Sequence, residues 1–171
     1  VDLHDSGACC TTNGYYHAIN QQHLDHHLVL KHAAKHTESK QFYRGVIDDR
    51  GVGIFSGKAE VDAGVSAIQA QQTNNNLLMS DAAKAYVRPQ LEIYADDIQC
   101  SHGATVGKLD EKALFYCRSR GIPISVARKL LLQSFIKEVF TALPESMLIE
   151  AIQELIFNKL AVQFERRSHD E

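Results

Sequence analysis

The sequence has no tryptophan, no Cys-x-x-Cys pair, no strong excess of either charge and no long apolar run. The missing run excludes a transmembrane helix. Its longest apolar stretches, such as Leu130-Leu131-Leu132, meet Lys or Gln within a residue, far short of the roughly 20 apolar residues a span requires. A net charge of -3 over 171 residues gives no electrostatic footprint for nucleic acid. The four cysteines, Cys9, Cys10, Cys100 and Cys117, show no framework spacing, so a disulfide-stapled secreted module is excluded and a reducing, cytoplasmic setting is expected. The start, Val1 to Asp5, has neither a basic leader nor an apolar signal segment. It also lacks an initiating Met, as expected of a piece of a longer chain.

What is present is a globular composition, 44% hydrophobic, with enough chain for one ordinary domain and a small appendage. The two parts differ in kind. Up to Leu109 there are nine basic and twelve acidic residues and eight of the nine histidines, with short period-two patterns; beyond it the charges balance at nine against nine and helical periodicity takes over. The domains are therefore 1–109 and 110–171.

In the first part Leu24–Leu30, Phe42–Ile47, Gly51–Ser56, Ala59–Val61 and Leu91–Ala95 read as strands, with turns expected at Asp48-Asp49-Arg50-Gly51 and Ser56-Gly57-Lys58. Strands every ~10 residues without intervening helices fit a sandwich, a barrel or a solenoid. Two features lean toward the solenoid. The amide run Gln71-Gln72-Thr73-Asn74-Asn75-Asn76 could stack in register as a ladder, although it also reads as a polar surface loop. Small residues such as Ala63, Gly64, Ala67, Ala95 and Ala104 suit close approach of neighbouring coils.

The second part predicts three helices. Asp110–Arg120 starts acidic, ends basic and stops at Gly121. A second helix opens at Pro123 or Ser125 and runs to about Leu143, with apolar residues on more than one stripe. A third begins near Pro144 and carries Leu148, Ala151, Ile152, Leu155, Ile156 and Leu160 at helical spacing. Their surplus apolar surface fits either a bundle core or a partner-binding face.

The sharpest local feature is Ile98 to Val106. On a strand, alternation puts Cys100 and His102 on one face, about 7 Å apart. A thiolate and an imidazole so placed can ligate iron or zinc, but they make half of a tetrahedral site, so a second chain would supply the rest. The bland alternative is a small buried Cys beside a hydrogen-bonded His. Gly103–Leu109 is not a phosphate loop: three residues rather than four separate the glycines, and Leu109 follows Lys108 where Ser or Thr is needed. His23, His26, His27, His32 and His36 are dense, but adjacent His26 and His27 face opposite sides of a strand. Asp48-Asp49 and Asp96-Asp97 offer paired carboxylates, so a carbohydrate-active β-helix enzyme is the catalytic alternative. The lack of tryptophan counts against it, as sugar sites usually present flat aromatic platforms.

Six segments, in order from about His26 to Phe140, resemble the SufB/SufD family of iron–sulfur cluster assembly, in its C-terminal portion and more on the SufD side. They are Phe42-Tyr43-Arg44-Gly45, Ile54-Phe55-Ser56-Gly57-Lys58, Gln72-Thr73-Asn74-Asn75-Asn76-Leu77-Leu78, Pro89-Gln90-Leu91-Glu92-Ile93, Ala95-Asp96-Asp97 with Cys100 to Gly107, and Phe115-Tyr116-Cys117-Arg118-Ser119-Arg120-Gly121-Ile122. The resemblance implies a mainly β fold with α: the last coils of a right-handed parallel β-helix, its earlier part missing, then a small C-terminal helical domain. It implies a non-enzymatic scaffold that pairs through its last strands with a SufB-like subunit and docks a SufC-like ATPase. Phe115, Arg118, Arg120, Phe135 and Phe140 are the expected docking residues. His102 matches the family histidine at the subunit interface, with Cys100 beside it. Ser101 stands where SufB-like chains carry an acidic residue, so no complete cluster site is expected in this chain. No cofactor is expected on the chain alone, with an iron–sulfur cluster held transiently in the full complex. A solenoid truncated in mid-coil is also expected to self-associate through its exposed surface.

Overall fold

The computed structural model describes residues 1–141, 143 and 146–170, and of 161–170 the backbone course. Two compact units result, Val1–Lys108 and one starting at Leu109.

The first unit consists of strands β1 (Asp2–Leu3), β2 (Cys9–Ala18), β3 (His23–His32), β4 (Glu38–Ile47), β5 (Val52–Val61), β6 (Ile68–Leu78), β7 (Lys84–Ile93) and β8 (Ile98–Gly107). The chain changes sheet at every corner, giving two four-stranded sheets, β1-β3-β5-β7 and β2-β4-β6-β8, in which every pairing is parallel. This is a parallel β-solenoid, so the lean away from a sandwich or barrel is borne out. Cys9 pairs with Glu38, Glu38 with Gln69 and Ile68 with Ile98, so successive coils measure 29, 31 and 30 residues.

Corners are built by residues that tolerate positive φ. Asn20, His36, Asp49 and Ala67 lie at φ 51 to 59°, and Gly64 at 79°. The Asp48 carboxylate accepts the Asp49 N–H at 2.8 Å, and the Asp49 carboxylate accepts the Asn20 N–H of the preceding coil at 3.0 Å. Each aspartate thereby supplies the local acceptor that a tight turn needs.

Two turn or loop expectations give way to strand. Ser56-Gly57-Lys58 lies inside β5 because Gly57 is there for close approach: a Cβ would meet the Phe55 ring at 2.8 Å and the Gln41 amide oxygen at 3.1 Å. The amide run is not a surface loop but the middle of β6, with Gln72, Asn74 and Asn76 buried.

Between the sheets, Tyr16, Ala18, Ile47, Phe55 and Ala83 form the main apolar cluster. Tyr43 packs against Phe55 with ring centroids 4.7 Å apart, and Tyr16 against His26 at 4.8 Å, so aromatic contacts tie one sheet to the other. Tyr16 pairs in register with Gly45, and Gly14 with Tyr43, so each ring has a glycine on the neighbouring rung. A Cβ at Gly45 would run into both the Tyr16 ring and Asn76, which accepts the Tyr16 hydroxyl's hydrogen. On the solvent side of the other sheet, Lys31 bridges Asp62 at 3.1 Å, and Lys58 bridges Glu60 at 3.0 Å and Glu92 at 2.7 Å. These carboxylates raise both lysine pKa values, but solvent screens the network.

His32 ends β3 with no solvent exposure. Thr37 uses its hydroxyl hydrogen on the Ala34 carbonyl at 3.2 Å, so it accepts from His32 Nδ1–H at 2.8 Å. Nε2 is then the acceptor for the Ser39 hydroxyl at 2.9 Å. The neutral ring satisfies the whole corner, and burial lowers its pKa.

In the second unit, α1 (Glu111–Ser119) is capped by Asp110, whose carboxylate accepts from Lys112 N–H at 2.8 Å and Ala113 N–H at 3.4 Å. Gly121, at φ 81°, ends it. Helix α2 (Ile124–Lys137) stops short of the expected Leu143 and tightens into a 3₁₀ turn, Glu138–Phe140; the Thr141 hydroxyl donates to the Glu138 carbonyl at 2.9 Å, taking an acceptor that a continuing helix would use. Helix α3 spans Met147–Asp170, and its expected start near Pro144 lies outside the described residues. Among the described residues of this unit, the buried apolar ones are Ala127, Leu132 and Ile136 of α2, Val139 of the 3₁₀ turn and Leu160 of α3. No described helix is long and apolar enough to cross a membrane.

Two outcomes test this packing. Gly45→Ala should lower unfolding free energy by about 1–3 kcal/mol in denaturant titration, the usual cost of overpacking; an unchanged midpoint would show that the Tyr16 ring yields freely. Because His32 has its pKa depressed on folding, its contribution is complete above the unfolded value near 6.5 and declines as pH falls below it, at up to about 1.4 kcal/mol per pH unit. His32→Leu should be less stable at pH 7.5 and show a shallower loss between pH 7 and 5; a slope equal to that of the unmodified chain would refute the assignment.

Candidate functional site

Strand β8 ends its sheet, with β6 on one side and none of the described strands on the other. In a parallel ladder alternate residues direct their N–H and C=O to opposite neighbours. The Ile68 N–H donates to the Asp97 carbonyl at 3.3 Å, which places Gln99, Ser101, Gly103 and Thr105 as the β8 residues bonded to β6. Cys100, His102, Ala104 and Val106 therefore turn their backbone groups to the open edge. The same logic on β7, from Lys84 N–H to Gly51 and Tyr94 N–H to Val61, puts Pro89 at an outward position that has no N–H to offer.

Parallel register stacks side chains into columns. Cys100 continues the column Cys10–Ser39–Ala70, and His102 continues Thr12–Gln41–Gln72. Strand alternation thus brings Cys100 and His102 to one face, as the sequence predicts. Cys100 is half-buried and His102 exposed, and burial raises the thiol pKa, partly offset by the Ala70 backbone. Directly beneath His102, Gln72 is 3% exposed and Gln41, one rung further, 2% exposed; none of their four amide atoms has a hydrogen-bond partner. Gln41 and Gln72 thus stack in register without a mutual hydrogen bond, whereas further along β6 the Asn76 amide donates to the Asn74 carbonyl oxygen. A cleft of about 330 Å³ runs over the start of β4, β6 and β8, lined by Glu38, Lys40, Gln71, Ser101 and Cys100 among others.

No group of three or more His, Cys, Asp or Glu side chains converges among the described residues. Cys100 and His102 thus stand as a pair, with no third such side chain converging on them among the described residues. The histidine tract disperses: His27 pairs with Asp25 at 3.0 Å, His26 faces Tyr16, His32 is buried, and His36 turns a corner. The aspartate pairs also separate. Asp48-Asp49 follow β4 and Asp96-Asp97 follow β7, at opposite ends of the strands, about 30 Å apart for ten-residue strands. Asp97 is occupied in accepting the Ala67 N–H at 3.0 Å, as Asp48 and Asp49 are occupied in the corner described above. Asp48, Asp49 and Asp97 shape turns, and the two pairs lie too far apart to flank one sugar site.

Of the expected docking residues, Phe115 is 72% exposed, and Arg118 and Arg120 lie on the same exposed helix end. Phe135 and Phe140 are half-buried. Tyr116, not singled out from the sequence, is 60% exposed with the Arg120 guanidinium 5.2 Å above its ring. The Phe-Tyr pair flanked by Lys112, Arg118 and Arg120 was its available signal.

Fold and site together define a parallel β-solenoid with a cysteine and a histidine side by side on an open edge strand. The chain belongs to the SufBD family of the SUF system for iron–sulfur cluster assembly: the family model for the SufBD core domain matches residues 1–135. It is 34% identical to the iron–sulfur cluster assembly protein SufD of Escherichia coli over 94% of this chain and 38% of that protein. It is 33% identical to a SufBD family cluster assembly protein of Synechocystis, over 80% of this chain and 30% of that one. Identity to SufD of Bacillus subtilis is 34%, over 66% and 26%. The chain thus spans less than two fifths of the length of these relatives.

Proposed function

We propose that the chain is the C-terminal part of a SufD-type scaffold that pairs with a SufB-like subunit along β8 and docks a SufC-like ATPase through its helical unit. The observation that carries the reading is the coincidence, on the same residues, of open backbone groups and side-chain ligands. A strand added to β8 would hydrogen-bond to Cys100, His102, Ala104 and Val106, and its own side chains would occupy the next rung above Cys100 and His102. Two ligands from this chain and others from the partner complete a coordination set that neither holds alone. The iron–sulfur cluster is cargo at that seam. Catalysis of nucleotide hydrolysis lies with the ATPase, since Gly103–Leu109 forms β8 and its exit rather than a strand-to-helix phosphate loop.

For the ATPase, the exposed end of α1 offers Phe115 and Tyr116 as apolar anchors and Arg118 and Arg120 as a charged rim, the composition that interface hot spots favour. Phe135 and Phe140, both half-buried, are assigned to the same docking role.

Two results test the reading. In the whole SUF complex, His102→Ala should lower cluster assembly at least about tenfold with the fold intact by circular dichroism; normal output would remove His102 from the chemistry. In pull-down with the ATPase, Phe115→Asp should abolish retention while shifting stability by no more than about 0.5 kcal/mol, as expected at an exposed site. Retention equal to the unmodified chain would move the docking surface elsewhere.

A further inference from the structure

We propose that the outer face of the β1-β3-β5-β7 sheet docks an acidic amphipathic helix of a partner protein, with Lys84, Tyr86 and Arg88 as the contacts that recognise it. No residue of β8 or α1 takes part, so the inference is independent of the roles proposed for those elements.

Register lays this face out as a grid. Strand alternation turns Lys84, Tyr86 and Arg88 to the solvent side of β7, where all three are exposed. Beside them in register stand Val52, Ile54 and Ser56 of β5, half-buried and short. One strand further, His23, Asp25 and His27 of β3 are again exposed. The middle column is low and mostly apolar between two taller rails, so the face forms a trough about 10 Å across, two strand spacings. A helix is the ordinary cover for such a sheet face, its apolar stripe against the floor and its polar flanks against the rails. Tyr86, with 47% of its surface in solvent, offers that stripe an aromatic anchor.

Charge decides the kind of helix. Toward the ends of the strands every cation of this face is matched: Lys31 bridges Asp62 at 3.1 Å, and Lys58 bridges Glu60 at 3.0 Å and Glu92 at 2.7 Å. Toward their starts the balance is different. His27 pairs with Asp25 at 3.0 Å, while Lys84 and Arg88 have no carboxylate partner among the described residues. These two cations lie about 13 Å apart along β7, too far for one carboxylate or phosphate to meet both. The occupant therefore carries at least two anionic groups in line. It is also short: a polyanion continuing along the strands, such as nucleic acid, would meet Glu92 and Glu60 in the row after next. A stretch of 13 Å is about nine residues of helix, so acidic residues at i and i+7 or i+8 along one flank match Lys84 and Arg88, and their spacing leaves Tyr86 under the apolar stripe.

The test measures fluorescence anisotropy of a labelled synthetic helix, with leucines at i, i+3, i+4 and i+7 spacing and glutamates on both flanks, against the full chain. Saturable binding of one peptide per chain is expected, tightening as salt is lowered. Lys84→Glu combined with Arg88→Glu should weaken it at least about tenfold, and Tyr86→Ala about fivefold. Lys35→Glu, an exposed cation at the β3–β4 corner, should leave it within about twofold. All these positions are exposed, so circular dichroism and the unfolding midpoint should match the unmodified chain. The same peptide with lysine for every glutamate should not bind. Absence of binding, binding indifferent to the charge reversal, equal binding of the lysine peptide, or stronger binding of phosphatidylserine vesicles or a single-stranded oligonucleotide to this face would each overturn the proposal.

Discussion

Every feature of the first unit depends on one constraint: parallel strands in unbroken register must hydrogen-bond from coil to coil. That ladder forces residues of successive coils into columns about 4.8 Å apart, so an interior side chain is judged against the residue above and below it as much as against the facing sheet. Tyr16 requires the absence of a side chain at Gly45, and Gly57 admits the Gln41 amide and the Phe55 ring. His32 completes the same logic at a corner, where one neutral imidazole satisfies two hydroxyls without water. Because the backbone ladder is satisfied throughout the interior of the stack, unmet backbone groups collect where a sheet ends. The outward backbone groups of β8 are found there for that reason.

Much of this was legible in the residues and some was not. Period-two alternation placed most of β3, the second half of β4 and, as two pieces on either side of an expected turn, β5, and it put Cys100 and His102 on one face before any coordinates. The helices were readable from Asp110, Gly121 and the apolar spacing of α2. Coil length was hidden because the corners differ in length, so coils of 29, 31 and 30 residues leave no fixed period to detect. Gly57 was misread because glycine signals both a turn and a close approach, and only the facing Phe55 and Gln41 decide between them. Strand β6 was obscured by its buried amides, since polarity at alternate positions normally marks the solvent side. The aspartates were ambiguous in the opposite sense: a carboxylate that accepts a backbone N–H at a corner and one that awaits a substrate look alike in a sequence. Which backbone groups of β8 remain unpaired follows from register alone and could not be seen without it.

The helical unit shows a related division. Its buried positions, Ala127, Leu132, Ile136 and Val139, account for a modest core, while Phe115 and Tyr116 spend large aromatic surfaces in solvent. A short helix capped by its own Asp110 and ended by Gly121 does not need those rings for its fold. Their surface lies in solvent among the described residues.

Pro89 carries a consequence for growth. A complete additional coil would have to zip onto both rails of the solenoid, and one rail has a missing tooth at this imino acid while the other is continuous. Addition of a lone strand is thus permitted where propagation of a full turn is interrupted, so the terminus favours a finite joint over an endless fibre. A single ring closure in one residue gives an otherwise sticky repeat architecture its stopping rule.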